Sequence, residues 1–340
     1  MATQIRALAD LLTPVRLDRF FQGTWEKEPL HLRREQGFYD ALLTSRDVES
    51  AIASGGLRYP AIQLAKEGGF FPAEAFTRTI RSGDDLFSGI PNLDRIRAEY
   101  QSGATISLPG FHRAWAPLGA LAAAVEEEID HVVHTNVYIT PGGTSGFMPH
   151  YDTHEVFVLQ IAGTKLWRIH KPPLSLPHRG QPFDPRTQLP SVPLLELVLA
   201  PGDLLYLPRG YVHSTTTSDT ASVHVTLGIT VYTWVELLVE WAQSSRTYAT
   251  LRRALPPGFA TSEDVKQQLK ERLPQILEEL QRVTDYDALL KGLSRRVRSA
   301  RVGMQGEFQT AIMSTGGRSS DRDATDTRKA APDATDHHRS

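Results

Sequence analysis

Residues 146–157 read GFMPHYDTHEVF, with His150, Asp152 and His154 on every second position ahead of an apolar run. In an extended chain, residues i, i+2 and i+4 share one face. On a strand these three side chains point the same way, and imidazoles with a carboxylate on one wall can hold a divalent metal. A lone HxD triplet is weak evidence in a chain with 12 histidines, since such a triplet arises readily by chance. A second stretch sharpens the reading. Residues 202–213, GDLLYLPRGYVH, space Gly202, Pro208, Gly210 and His213 as a strand that ends in a tight turn and re-enters with a histidine at its first position. Asp203 fits the preceding turn. Backbone geometry, rather than flexible packing, then places His213.

The flanking segments support a β-rich setting. From His131 onward, HVVHTNVYIT, HEVFVLQIAG, TKLWRIH, LELVLAPGDLLYLP and SVHVTLGITVY are short, rich in β-branched and aromatic residues, and separated by Gly/Pro turns. Many short strands without intervening helices predict an antiparallel sandwich or barrel over 131–234 rather than alternating strand–helix units. The Pro-rich insert Lys171–Pro193 reads as a long loop, a class that often serves function.

Residues 1–130 mix short helical pieces (Ile5–Leu12 and Leu118–Asp130) with a plausible strand in TWEKEPLHLRRE, and are expected to pack on the barrel. After Trp234 apolar residues recur at three-to-four spacing, which predicts helices over 235–312, with Ser262 as a cap. Residues 313–340 form a tail. From Ser314 it holds five acidic and five basic side chains and no Val, Ile, Leu or aromatic residue. Such a tail cannot bury a core and is expected to be disordered. His337 and His338 lie there and receive no role.

The 340-residue chain is long enough for a sizeable core. With 40% hydrophobic and 22% charged residues it has a globular composition, and its net charge of −2 lends no support to a chain-wide nucleic-acid surface. The absence of cysteine excludes disulfides, cysteine-zinc sites, iron–sulfur clusters and thiol catalysis. Arg6 and Asp10 interrupt any signal-like start, and uncharged stretches such as Val132–Pro149 are too rich in Gly, Pro and Thr for a membrane helix. A cytoplasmic protein is expected.

The HxD triplet, the Gly-Pro-Gly-His turn and their order resemble the cupin superfamily, and more narrowly the JmjC-type 2-oxoglutarate oxygenases of the ribosomal-oxygenase group. The resemblance covers residues about 15–300 and is strongest from Thr135 to Trp234. It implies a double-stranded β-helix (cupin, or jelly-roll) core with N-terminal α/β elements and a C-terminal helical region. It implies that His150, Asp152 and His213 hold Fe(II), leaving positions open for dioxygen and for a bidentate cosubstrate, 2-oxoglutarate. His154 and Glu155 are rival ligands, with His154 placed as a supporting residue. Lys165, in GTKLW after a hairpin turn at Ala162-Gly163, would grip the far carboxylate of the cosubstrate, because an unpaired anion cannot be buried. Tyr138, Asn136 and Thr226 would complete the cosubstrate pocket. Trp167 shares a face with Lys165 and reads as a core residue, and His224 as structural. GGTSG, residues 142–146, fits neither a phosphate loop nor a nucleophile elbow and reads as the loop feeding the first metal segment.

The activity implied is hydroxylation of a protein or peptide side chain, most simply a His or Arg of a ribosomal protein lying across the barrel mouth near the insert. The C-terminal helices imply a homodimer, whereas a complete winged-helix module is not expected after residue 300. Two other readings keep parts of this pattern. A hydroxylase of a natural-product precursor peptide would share every catalytic residue. A metal-binding cupin without oxygenase activity would need no basic residue at Lys165 and would draw on His154 or Glu155 as a fourth ligand.

Overall fold

The computed structural model describes residues 5–188 and 192–301. In chain order its strands are β1 (Leu30–Leu32), β2 (Gln63–Lys66), β3 (Gly69–Phe70), β4 (Thr77–Ser82), β5 (Asp85–Pro91), β6 (Thr105–Pro109) and β7 (Val132–Thr140). They continue as β8 (Glu155–Ala162), β9 (Lys165–Ile169), β10 (Leu195–Leu199), β11 (Leu204–Leu207), β12 (His213–Thr217) and β13 (Ser222–Thr230). The expected disordered tail 313–340, with His337 and His338, lies outside the described residues, as does everything after Arg301. No described helix is long and apolar enough to cross a membrane.

Every strand segment expected after His131 is present, and all the pairings are antiparallel. Eight strands form one sheet in the order β1-β11-β8-β13-β7-β6-β2-β3, and β10-β9-β12 form a second. The long sheet is apolar on both faces because both are covered. On β8, Phe157 and Leu159 face a core shared with Leu8, Leu12 and Phe20 of the N-terminal helices and with Leu121 and Val125 of the helix Ala116–Ile129. The alternate residues Val156 and Val158 join Trp167, Ile169 and Leu199 of the small sheet in a second, inner core. Sandwiching therefore explains why VFVLQI reads as an unbroken apolar run rather than an alternating one.

Three features depart from the sequence reading. Residues 1–130 do more than pack on the barrel: β1 pairs with β11, and β6 pairs with β7, extending the main sheet. The stretch TISLP of β6 is too short to stand out, and its buried pattern arises only from the neighbours that cover it. The turn at Ala162-Gly163 is not a hairpin. β8 pairs with β11 and β13, whereas β9 pairs with β10 and β12, so the turn passes the chain from one sheet to the other. Finally, the first C-terminal helix is shorter than its periodicity suggests, ending at Ser244 in two 3₁₀ turns. Glu263–Val283 begins as expected, with the Ser262 hydroxyl accepting the Val265 N–H.

Gly163 makes the sheet crossing possible. It sits at φ +64°, and a Cβ there would lie 1.9 Å from the Ala221 carbonyl oxygen. Gly163→Ala is therefore expected to cost about 1–3 kcal/mol, read as a lowered midpoint in denaturant unfolding with an unchanged slope; an unaltered midpoint would contradict this account of the crossing.

Candidate metal and organic-acid site

The segment HYDTH does not form a strand. Only His150 makes a bridge, pairing with His213 through His150 N–H to His213 O (3.1 Å) and His213 N–H to His150 O (2.8 Å). The segment then bends, and the next strand starts at Glu155. The alternation thus accounts for two ligands of the triad, while His154 lines the same cavity outside it. His150 and Asp152 converge with His213, with candidate ligand atoms all within 4.8 Å of one another. Past the bend His154 packs its ring edge-on to His134, at 4.8 Å between centroids, with its Nε2 4.0 Å from Asp152 Oδ1. Glu155, the other rival, is fully buried and taken up by Arg209 and Tyr206.

The turn before His213 is tied to the same place. Gly210, at φ +93°, donates its N–H to the Asp152 carbonyl at 3.0 Å. A Cβ at Gly210 would lie 2.6 Å from the Leu174 carbonyl oxygen, in the insert. Tyr151, between the two ligand residues, hydrogen-bonds the Gln181 carbonyl of the insert through its hydroxyl (2.9 Å) and packs on Phe183. Tyr151 is buried but does not line the cavity that His150 and Asp152 line. These contacts brace the ligand-bearing segments, and no described insert residue lines the cavity itself.

Both imidazoles are presented in the same way. His150 Nδ1 lies 2.7 Å from the Met148 carbonyl oxygen, and His213 Nδ1 lies 3.1 Å from that of Tyr211. A carbonyl can only accept, so each Nδ1 carries the proton and each Nε2 keeps a free lone pair. Burial, followed by the neighbouring His150, lowers the His213 pKa to about 4, which keeps that ring neutral. Burial opposes ionisation of Asp152, but His154, His213 and His150 outweigh it and lower its pKa. A neutral His213 imidazole beside an ionised Asp152 carboxylate is a protonation state that suits metal binding. The donor set fits a divalent metal that leaves coordination positions free.

The triad opens on a cavity that Tyr138, Thr140, Lys165, Trp167, His224 and Thr226 help to line. On its far wall stands Lys165, 2% exposed, its Nζ donating to Thr140 Oγ1 at 3.1 Å. No carboxylate pairs with this ammonium among the described residues, and burial lowers its pKa to about 7. Thr140 in turn contacts Thr105 (Oγ1–Oγ1 3.2 Å). Tyr138 and Thr226 line the cavity, and Tyr138 stacks on His224 at 5.0 Å. Burial, then the charge of Asp152, raises the Tyr138 pKa to about 12, so its phenol stays a donor. Asn136 does not reach the lining. Its Oδ1 accepts the Gly110 N–H (3.1 Å) and its Nδ2 donates to the Tyr138 hydroxyl (3.4 Å). Trp167 and His224, read as core and structural, both line the cavity and are nearly fully buried. Thr140 and Thr105 were not foreseen, although Thr140 continues the i, i+2 row of Asn136 and Tyr138.

With this geometry in view, the JmjC domain family matches residues 116–237. The chain contains a JmjC domain. It is 30% identical over 299 residues to the bifunctional lysine-specific demethylase and histidyl-hydroxylase NO66 of Drosophila persimilis, covering 86% of this chain and 39% of that protein. It is 31% identical over 226 residues to human ribosomal oxygenase 1, covering 64% of this chain and 33% of that one. The chain thus spans well under half the length of these relatives. Among solved structures, Escherichia coli YcfD, a ribosomal oxygenase in complex with cobalt and succinic acid, superposes with a TM-score of 0.50 at 16% identity, covering 84% of this chain and 71% of that one. That likeness is one of fold, and the JmjC cupin architecture is the one described above.

The state of Lys165 has a thermodynamic consequence. In the unfolded chain its pKa returns to about 10.5, against about 7 when folded. Between those values the unfolded state binds a proton that the folded state does not, so folding stability rises with pH across about 7–10 and carries the full cost below 7. Lys165→Met is expected to remove this slope and to be more stable than the wild type at pH 6, by a few kcal/mol at most. The excess should shrink at pH 9. Denaturant unfolding of the ligand-free proteins at the two pH values measures it, and an excess that does not change with pH would show that Lys165 is charged when buried.

Proposed function

We propose that this JmjC protein is an Fe(II)- and 2-oxoglutarate-dependent oxygenase that hydroxylates a protein side chain, with a His or Arg of a ribosomal protein as the substrate residue. The observation that carries the reading is Lys165, a buried ammonium without an anionic partner, lining the same cavity as a two-histidine, one-carboxylate triad. A buried cation of this kind is costly until an acid pairs with it. A cupin without oxygenase activity has no use for it, and of the rival fourth ligands Glu155 is engaged by Arg209 and Tyr206. The names histidyl-hydroxylase and ribosomal oxygenase among the relatives support the substrate class.

In this reading His150, Asp152 and His213 hold the iron through Nε2, a carboxylate oxygen and Nε2. When bound, Fe(II) with 2-oxoglutarate supplies dioxygen activation, the keto acid being decarboxylated to succinate while the substrate gains a hydroxyl. Lys165 pairs with the far carboxylate of the keto acid, with the Thr140 hydroxyl beside it. Tyr138 offers a protonated phenol, Thr226 a hydroxyl on the neighbouring strand, and Asn136 holds the Tyr138 oxygen in place from behind. Phe147, Trp167 and His224 fill the remaining wall and keep bulk water out.

The protein works as a homodimer in the cytoplasm in this account. The helix Trp234–Ser244 leaves Trp234 79%, Val235 51% and Leu238 55% exposed, and Leu273, Leu277, Tyr286 and Leu290 of the following helices are also exposed. So many large apolar side chains left exposed on these helices call for a covering partner, and a second copy is the simplest one. Leu238→Glu is expected to halve the mass seen by sedimentation equilibrium at micromolar concentration; a wild-type chain that already sediments as a monomer removes the dimer.

Purified protein supplied with Fe(II), ascorbate and 2-oxoglutarate should form succinate. Asp152→Ala should cut the rate by about 100-fold or more, beyond the loss typical of a supporting residue, and Lys165→Ala should raise the 2-oxoglutarate requirement at least about tenfold. Intact-mass comparison of ribosomal proteins from cells with and without the gene should reveal one protein lacking a single oxygen atom. Succinate formation unaffected by Asp152→Ala would end the oxygenase reading, and unchanged ribosomal masses would end the substrate assignment alone.

A further inference from the structure

Behind the triad lies a buried charged cluster that the chemistry above does not use. Arg209 Nη1 contacts Glu155 Oε1 at 2.6 Å, their side chains being 5% and 0% exposed, and the same nitrogen also meets Glu26 Oε1. Tyr206 donates its hydroxyl to Glu155 Oε2 at 2.6 Å and accepts the Glu26 N–H at 2.9 Å. Neither Glu155 nor Arg209 lines the cavity. Their places in the chain are telling. Glu155 is three residues after Asp152, and Arg209 is four before His213, in the turn whose next residue, Gly210, hydrogen-bonds the Asp152 carbonyl.

We propose that Glu155 and Arg209 are positioning residues for the metal centre, their ion pair fixing the segment that carries Asp152 against the segment that carries His213. The inference rests on the reading of the triad as a metal site. Two physical points favour placement over mere stability. A buried ion pair generally contributes no more to stability than two well-packed apolar side chains of the same volume, so stability alone does not call for charge here. Metal sites, by contrast, demand ligand positions held to about half an ångström, which depends on the groups behind the ligands. The Nη1 that bridges Glu155 and Glu26 also ties both segments to the N-terminal residues 24–28, which the sequence reading placed outside the barrel.

The test uses Co(II), whose visible absorption reports ligand number and geometry, titrated into the full-length protein without cosubstrate, alongside circular dichroism and thermal melts. The double variant Glu155→Leu/Arg209→Met removes both charges at similar volume. It is expected to fold with a melting midpoint at or above that of the wild type, to bind Co(II) about 10–100-fold more weakly, and to show a shifted visible band. A folded double variant with wild-type affinity and band overturns the proposal. If the double variant does not fold, Glu155→Gln carries the test, since its amide oxygen still accepts from Arg209. It should bind Co(II) about tenfold more weakly, and wild-type affinity in it overturns the proposal equally. Failure of the wild-type protein itself to bind Co(II) is a separate result: it overturns the metal-centre reading and the inference together.

Discussion

The reciprocal hydrogen bonds between the backbones of His150 and His213 are the constraint on which the site depends. They bring together two segments far apart in sequence, joining an isolated bridge residue to the first residue of a strand. The rest of the barrel serves to make this one bridge possible. β12 starts at His213 and is held in register along β9, while the loop before His150 is pinned to the other end of β12 by Thr144 and Thr217. Each imidazole then gives its Nδ1 proton to the carbonyl two residues upstream, so ring orientation is set by the chain that carries it. Ligand placement is therefore a backbone property at both histidines, and less room is left for rotamer disorder than in a site built from long side chains.

The opposite wall follows a different rule. Lys165 is buried with one hydroxyl as its partner, an arrangement that costs folding free energy in the empty protein. The neighbouring groups do not relieve it: Thr105 and Thr140 are neutral, Tyr138 stays a phenol, and His224 is kept uncharged by burial and then by the lysine itself. A fold keeps such a group only where the ligand-bound state recovers what the empty state loses. The cavity is thus complementary to an anion before any anion arrives, at the expense of stability.

Much of this was legible in the sequence, and the limits have physical causes. The strands of the barrel, the re-entrant His213 and the pair His150 and Asp152 follow from short-range patterns: apolar runs, Gly/Pro turns and two-residue alternation. Alternation presumes a continuous strand, whereas the chain bends as soon as its bridge to His213 is complete, so His154 lines the cavity without joining the triad. The crossing at Gly163 looked like a hairpin because a tight glycine turn between two apolar strands has the same local signature in either case. Only the pairing partners tell them apart, and those are long-range. The burial of Glu155 with Arg209 was invisible for the same reason. An acid next to HxD reads as a ligand until the cation that claims it, more than fifty residues on, is brought alongside.

Strand register also bears on what the cavity can hold. On the small sheet His213 is opposite Ile169 and Lys165 is opposite Thr217, so the metal ligand and the ammonium stand four residues apart along adjacent strands. At about 3.3 Å per residue this is about 13 Å between backbones. The imidazole and the lysine stem each consume part of that span from its two ends, and both side chains face the same cavity. What remains suits a short chain with an acid at each end, one to meet the metal and one to meet the cation. A short monocarboxylate could meet only one of the two, the metal or the cation. The offset between the two strands thus sets how far apart the metal ligand and the lysine stand.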